Sequence, residues 1–488
     1  MNANNHISYE EQKRGLRKVL YDGIASQVMV NLSGGAFVIS FGLLLGASNV
    51  VIGLIAAGPF LGNVFQIPAV LVVEKIRKRR LISIVFSLLT RAWLPIYALI
   101  PFFFGIHGLS ILIVGIFIAA TTGAFSNCAW VSWMRDFVPD DIRGRYFSKR
   151  MTLSLAVAML LSLAAGGLID VWQTRFPEQG IFVYSMLFLI AFASGIVGVF
   201  MIRATPEPPM GEVVRGTSLW EIIKVPLQDS NFRKMLKFTV SWALAFNLAI
   251  PFFVVYMLKR LGLSLSTVIV LSVISQFFHV AFLRIWGALS DKFSNKSVMQ
   301  VGGIMLLICV IAWPFTTLPD IHVGTFPLLI IIHALMGVAL AGVSIASFNI
   351  AFKLAPPQEA TKYLALNNTL VSVAMGMGPI IGGILADLLE FMELAFTFRY
   401  LVPESEWTAY LLNLRGLDFL FLAAFILGLY ALRYLALVQE KGEVPKGVVY
   451  QALISETRKM TRIIPSASGL SSIIYFPVSL VRKKDDKR

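Results

Sequence analysis

The chain has 488 residues, of which 57% are hydrophobic and only 14% charged. Soluble domains carry about 25% charged residues, so neither a soluble multidomain protein nor a disordered chain fits. Two cysteines exclude a disulfide scaffold, and the net charge of +15 sits beside apolar runs, which favours anionic lipid over nucleic acid as its partner.

A helix needs about 20 apolar residues to cross a bilayer. Such runs fall at 25–46, 49–73, 81–104, 108–134, 147–170, 180–202, 236–257, 264–290, 297–317, 325–352, 361–387 and 416–438. The expected fold is all-α and integral to the membrane, with twelve transmembrane helices. It divides into a cytoplasmic N-terminal segment (1–24), a six-helix bundle (25–202), a cytoplasmic linker (203–235), a second six-helix bundle (236–438) and a basic tail (439–488). The polar stretch from Met1 to Lys18 has no cleavable leader pattern. Cys128 and Cys309 lie within apolar runs and read as reduced, buried thiols.

Lys and Arg set the orientation. One set of loops carries Lys75, Arg77, Lys78, Arg79 and Arg80, then Arg135, Arg143, Arg145, Lys149 and Arg150, and later Lys292, Lys296, Lys353 and Lys362. The opposite loops carry only Arg175, Lys259, Arg260, Arg399 and Arg415. Both termini are therefore expected in the cytoplasm.

The two halves repeat. At an offset of 216 residues Asn31-Leu32 matches Asn247-Leu248, and Gly46 and Ser48 match Gly262 and Ser264. At 217, Glu74-Lys75 pairs with Asp291-Lys292 and Arg79 with Lys296, and Gly166 and Asp170 pair with Gly383 and Asp387. Six spans per half make the repeats parallel, related by an axis along the membrane normal. Two such bundles enclose a midplane cavity that rocking exposes to each side in turn.

The stretch Gly287-Ala-Leu-Ser-Asp291-Lys292-Phe-Ser-Asn-Lys296 resembles the G-x-L-A-D-R-x-G-x-R/K loop of the major facilitator superfamily, with Ser294 in place of the second glycine. The copy between spans 2 and 3 is degenerate: Val70 replaces the first glycine, Glu74 the aspartate and Arg77 the second glycine. The segments Trp133–Phe147 and Pro226–Arg233 resemble loops of bacterial members. The resemblance covers residues 14–440 and implies a secondary transporter of the bacterial cytoplasmic membrane, without naming a substrate.

Spans 5 and 11 begin on the cytoplasmic side, and a carboxylate is attracted to a helix N-terminus. Pseudo-symmetry then places Asp291 against the start of span 5 and Glu74 against the start of span 11 when that side is closed. The family resemblance implies the same conformational latch, with Gly287, Lys292 and Lys296 in its loop and Arg135 and Asp136 beside it. The alternative is that Asp291 caps its own loop and that Arg135 and Asp136 form a local ion pair.

Ionisable groups at membrane depth mark function by default. No Asp or Glu lies mid-span on spans 1, 4, 7 or 10, and Asp22 sits at the cytoplasmic start of span 1. His279 lies roughly 18 Å from Asp291 along span 8, near the midplane, with Gln276 one turn away. It is the candidate proton-coupling group, or else a satisfied core histidine. His333 reads as core, and Arg91 as a tether for carbonyls beside Pro95. Asn31 and Asn247, Asn127 and Trp130, and Ser344 and Ser347 either line the cavity or hydrogen-bond between helices. The small residues of Gly376-Met-Gly378-Pro379-Ile-Ile-Gly382-Gly383 permit close helix packing.

The tail carries ten Lys or Arg against five Asp or Glu. Val448–Ile464 and the apolar Ile473–Leu480 suit a segment lying on an anionic leaflet. The expected function is transport of a small-molecule substrate by alternating access, coupled to a proton gradient. A uniporter, an amphiphile or lipid flippase, and a non-transporting sensor stay open. No enzyme motif, cofactor, metal site or nucleic-acid partner is expected, and the protein is expected to act as a monomer in the bilayer.

Overall fold

The computed structural model describes residues 8–210, 219–317, 320–356, 359–402, 405–440 and 442–463. Among the described residues, twelve helices are long and apolar enough to cross a membrane: spans 1 (Tyr9–Leu44), 2 (Asn49–Ile76), 3 (Arg79–Phe103), 4 (Gly105–Phe137), 5 (Arg143–Arg175), 6 (Phe182–Arg203), 7 (Ser230–Arg260), 8 (Leu265–Lys292), 9 (Asn295–Thr316), 10 (Thr325–Leu354), 11 (Lys362–Leu389) and 12 (Leu417–Leu437). The protein is an integral membrane protein. Below, the termini face is the side holding the start of span 1, the linker and the tail. The hairpin face is the opposite one.

Span 1 begins sixteen residues before the predicted boundary. Ser8 and Glu11 form a reciprocal capping box, each accepting from the other's backbone N–H at 3.2 Å. Gly15, Val19 and Asp22 are buried inside the bundle. Residues 9–24 are thus not a separate segment but the polar first turns of a transmembrane helix. The apolar run misplaced this start because a helix continues past the hydrocarbon edge wherever its neighbours do. The span breaks at Gly35, whose φ of +53° ends one helix and starts the next.

Arg77 has φ +58° and caps the end of span 2 in a left-handed conformation. This is the site at which the signature loop carries its second glycine, so the degenerate copy keeps the turn at a cost of about 1–2 kcal/mol. In the other copy Ser294 has an extended backbone and caps span 9 through Ser297 N–H instead.

The packed cores reveal how the bundles meet. At the hairpin face one core runs through both halves, from Leu32, Phe41 and Ile52 to Phe252, Leu265 and Phe421. At the termini face the cores are separate. Val19, Trp133 and Phe137 form one in the first bundle, and Phe232, Trp286 and Tyr363 belong to another in the second. Small residues allow the close approach. A Cβ on Gly383 would lie 2.7 Å from Val50 Cα, and one on Gly376 would lie 2.5 Å from Leu61. Gly378 and Gly382 pack the same helix on span 7, where a Cβ would meet Leu244 and Phe252 at 3.0 and 2.9 Å.

Beneath each bundle, the segment following its sixth helix returns to cap its third. Glu207 accepts from Arg79 N–H at 2.7 Å. Glu440 accepts from Asn295 and Lys296 N–H at 3.2 and 2.7 Å. Two carboxylates thus satisfy helix N-termini that would otherwise be unpaired. The tail continues as a helix, Lys446–Ile463, that buries Val449 and Leu453 against the second bundle. This supports the predicted helix, whereas Ile473–Leu480 lies outside the described residues.

Between spans 11 and 12 the chain forms an antiparallel hairpin of β1 (Glu393–Val402) and β2 (Ser405–Arg415). The all-helical expectation had no strand here. Phe396, Phe398 and Tyr400 are exposed on it, and Arg415 pairs with Glu393 at its base at 2.6 Å.

Candidate functional site

Among the described residues, no hydrogen bond or ion pair of Asp291 or Glu74 links the loops expected to latch the termini face. Asp291 is exposed, and neither it nor Glu74 makes a hydrogen bond or ion pair among the described residues. Three latch residues are engaged within their own bundles. Lys296 is 4% exposed and donates to Ala436 O at 3.0 Å and to Glu443 at 2.9 Å. Asp136 accepts from the fully buried Arg79 at 2.5 Å, and among the described residues the exposed Arg135 side chain reaches only Asp136, at 3.2 Å. Lys296, Asp136 and Arg135 thus belong to ion clusters within one half of the chain, with Glu443, Arg79 and Asp136 as their partners. Lys292 stacks on the neighbouring Phe293 ring, 5.2 Å from its centroid. A Cβ on Gly287 would meet only Ile345, at 3.9 Å.

Contacts of the expected kind exist at the hairpin face. Asp387, at the end of span 11, accepts from Asn49 and Val50 N–H at 3.0 Å each, at the start of span 2. Asp170, at the end of span 5, accepts from Ser266 N–H at 3.3 Å, at the start of span 8. In both, a glycine one turn earlier (Gly383 or Gly166) admits the facing backbone. Each carboxylate crosses from one bundle to the other and meets the positive end of a helix. Face and residues differ from the expected latch, while the device and its pseudo-symmetry are the same.

The polar residues divide into three sets. Asn247 is 3% exposed, donates to Ala243 O on its own helix at 2.8 Å and packs on Gly378. It is core, not cavity, because the small-residue stripe of span 11 presses on it. His333 is likewise core, with Nδ1 on Leu329 O at 2.9 Å. Arg91 is 6% exposed and donates to Gly195 O at 2.8 Å and Ser87 O at 3.1 Å, as a tether should.

The second set stays accessible. Asn127 and Ser344 are exposed, while Trp130 and Ser347 are half-buried. These two pairs occupy equivalent places in the repeat, on spans 4 and 10. His279 Nε2 lies 3.4 Å from Ser344 Oγ, joining span 8 to span 10, and Gln276 is half-buried one turn away. Asn31 is half-buried, accepts from Gln27 at 3.0 Å and donates to Ser162 at 3.4 Å.

The third set was missed. Asp22 is 5% exposed and lies fourteen residues into the helix, where Arg150 of span 5 donates to it at 3.2 Å. Arg150 also lies 4.7 Å above the Trp130 ring. In the sequence Arg150 counted only as a loop charge. The signal available was Gly23, since a Cβ there would meet the Arg150 guanidinium at 2.7 Å.

A family model for the Major Facilitator Superfamily matches residues 238–448. An uncharacterized MFS-type transporter, YxiO of Bacillus subtilis (strain 168), is 25% identical over 26% of this chain and 28% of its own length. The staphyloferrin B transporter of Staphylococcus aureus (strain NCTC 8325 / PS 47) is 33% identical over 22% of this chain and 24% of its own. The chain thus matches about a quarter of the length of these curated relatives. Solved structures agree in fold. A mutant of the nucleoside transporter NupG superposes with TM-score 0.65 at 13% identity over 87% of this chain and 100% of that one. A D-xylose-proton symporter gives 0.63 at 12% over 90% and 100%.

Proposed function

We propose that this chain, which belongs to the major facilitator superfamily, is a secondary carrier that moves a small solute by alternating access. The observation that carries the reading is the split of its packing: one shared core at the hairpin face, separate cores at the termini face. Such an arrangement belongs to one of two states related by rocking the bundles, and the Asp170 and Asp387 contacts favour it. The clustering of Lys and Arg at the termini face supports a cytoplasmic placement of that face. The state is then inward-open, in a bacterial cytoplasmic membrane. Asp291 and Glu74 would engage only after the rocking, as the latch of the other state.

The relatives named for staphyloferrin B, nucleosides and D-xylose carry small solutes, which supports a small-molecule substrate here. Asn127, Trp130, Ser344, Ser347, Gln276 and His279 are the lining residues, with His279 as the coupling group. Reconstituted vesicles test the reading. Cysteines on the two faces should gain and lose reactivity in opposition, and a proton gradient should drive solute accumulation. Flux without accumulation points to a uniporter, movement of lipid between leaflets to a flippase, and solute binding without flux to a sensor.

A further inference from the structure

We propose that Arg150 anchors an anion-binding site in the first bundle, taking the carboxylate or phosphate group of a solute or lipid headgroup. The proposal rests on the carrier reading and deepens it. Three charges meet at this depth: Asp22 and Arg91, both buried, and the half-buried Arg150. Among the described residues one carboxylate faces two guanidinium groups, which leaves one positive charge without a counter-ion, and such a charge is costly where water is scarce.

The two arginines differ in what they have left to offer. All three nitrogens of Arg91 are engaged, with Gly195 O, Ser87 O and Ser26 Oγ at 2.8, 3.1 and 3.2 Å. Arg150 donates through Nε to Val19 O at 3.1 Å and through Nη2 to Asp22 at 3.2 Å, and Nη1 has no partner among the described residues. Its side chain is 21% exposed. The ring that it stacks on belongs to Trp130, whose Nε1–H is buried and also lacks an acceptor. Two unmet donors and one unmet charge thus converge on one stacked pair. An oxyanion supplies what all three lack.

Structural glue alone does not explain the arginine. At the equivalent junction of the second bundle, Thr239 stands where the first has Gly23 and Asn367 where it has Arg150. That neutral pair closes the junction with a 3.0 Å hydrogen bond. The fold therefore needs no charge here. Asp22 acts as a resident counter-ion that an incoming anion displaces in part from Arg150.

The test uses full-length protein in phosphatidylcholine nanodiscs, with thermal stability read against citrate, inorganic phosphate and glucose at matched ionic strength. Citrate or phosphate should stabilise the wild type, with glucose inert. Arg150→Gln should abolish the effect, and Arg150→Lys should keep part of it. Asp22→Asn should tighten anion binding about tenfold, since the competing charge is gone. If Arg150→Gln does not fold, Trp130→Phe, which removes one donor and keeps the stacking, should weaken binding in its place. A parallel set with phosphatidylglycerol separates the sources: stabilisation by that lipid alone, lost in Arg150→Gln, assigns the site to a headgroup. No stabilisation by either anion or the anionic lipid, or stabilisation that survives in Arg150→Gln, overturns the proposal. Exchange of cysteine reactivity between the faces, measured on the same wild type, tests the carrier reading separately. Exchange without anion binding sinks only the anion site, and anion binding without exchange sinks only the carrier.

Discussion

Asp387 and Asn49 lie 338 residues apart in sequence, and the Asp387 carboxylate accepts the Asn49 backbone N–H at 3.0 Å. The bond closes a loop through both bundles, since one partner ends span 11 and the other starts span 2. A carboxylate at a helix N-terminus contributes about 1 kcal/mol when partly exposed. That is small beside the stability of a bundle, yet it is comparable with the bias between two conformations of a carrier.

Removing this contact should therefore shift a population without unfolding the protein. Asp387→Ala should lower the share of molecules closed at the hairpin face roughly fivefold relative to the alternative state. Asp387→Asn should shift it less, because the amide oxygen still accepts one hydrogen bond. Spin-label distances between spans 2 and 11 at that face check this. Unchanged distributions in the alanine variant would reduce the contact to a passive cap.

Gly383 admits the backbone of span 2, and a Cβ there would lie 2.7 Å from Val50 Cα. Gly383→Val should hold the hairpin face apart. Solute binding from that side should persist while turnover in vesicles falls at least about tenfold, because one of the two closures is blocked. Normal turnover would show that the helices separate here by another route.

His279 meets Ser344 across spans 8 and 10 at 3.4 Å. If its imidazole carries the coupling proton, His279→Gln should abolish gradient-driven accumulation and leave downhill counterflow intact. Accumulation that persists with an unaltered pH dependence would move the role to another group, Asp22 foremost.

Glu440 holds two backbone N–H groups of span 9 and the Lys353 ammonium at 2.7–3.2 Å. Glu440→Gln should cost about 1–3 kcal/mol, since a buried charge-assisted set loses its anion. A lowered Tm with solute binding unchanged at saturating concentration would agree. An unaltered Tm would mean that the Glu440 cap adds nothing to the stability of the second bundle.

Much of the architecture was legible from hydropathy and the repeat, because helix length and charge asymmetry are imposed directly by the bilayer. The small-residue stripe on span 11 was legible too, as Gly376 and Gly383 show. The closed face was not. Asp291, Glu74, Asp170 and Asp387 all suit a helix N-terminus, and the two states proposed for this chain would share one sequence, separated by a few kcal/mol at most. Depth was the other failure. Arg150 looked like a loop charge, and its partner Asp22 lies 128 residues away on a helix that starts earlier than its apolar run. The hairpin carried a readable alternation, Phe396, Phe398 and Tyr400, that a search for long apolar runs passes over.

Span 11 ends at Leu389 and the first strand begins at Glu393, so three residues separate the gate helix from the hairpin. A lever this short transmits rotation and does not absorb it. If the bundles rock as proposed, the hairpin swings with span 11 whenever Asp387 leaves the start of span 2. An antibody fragment gripping its exposed aromatic face would then act as a brake on the transport cycle, with no need to reach the solute path.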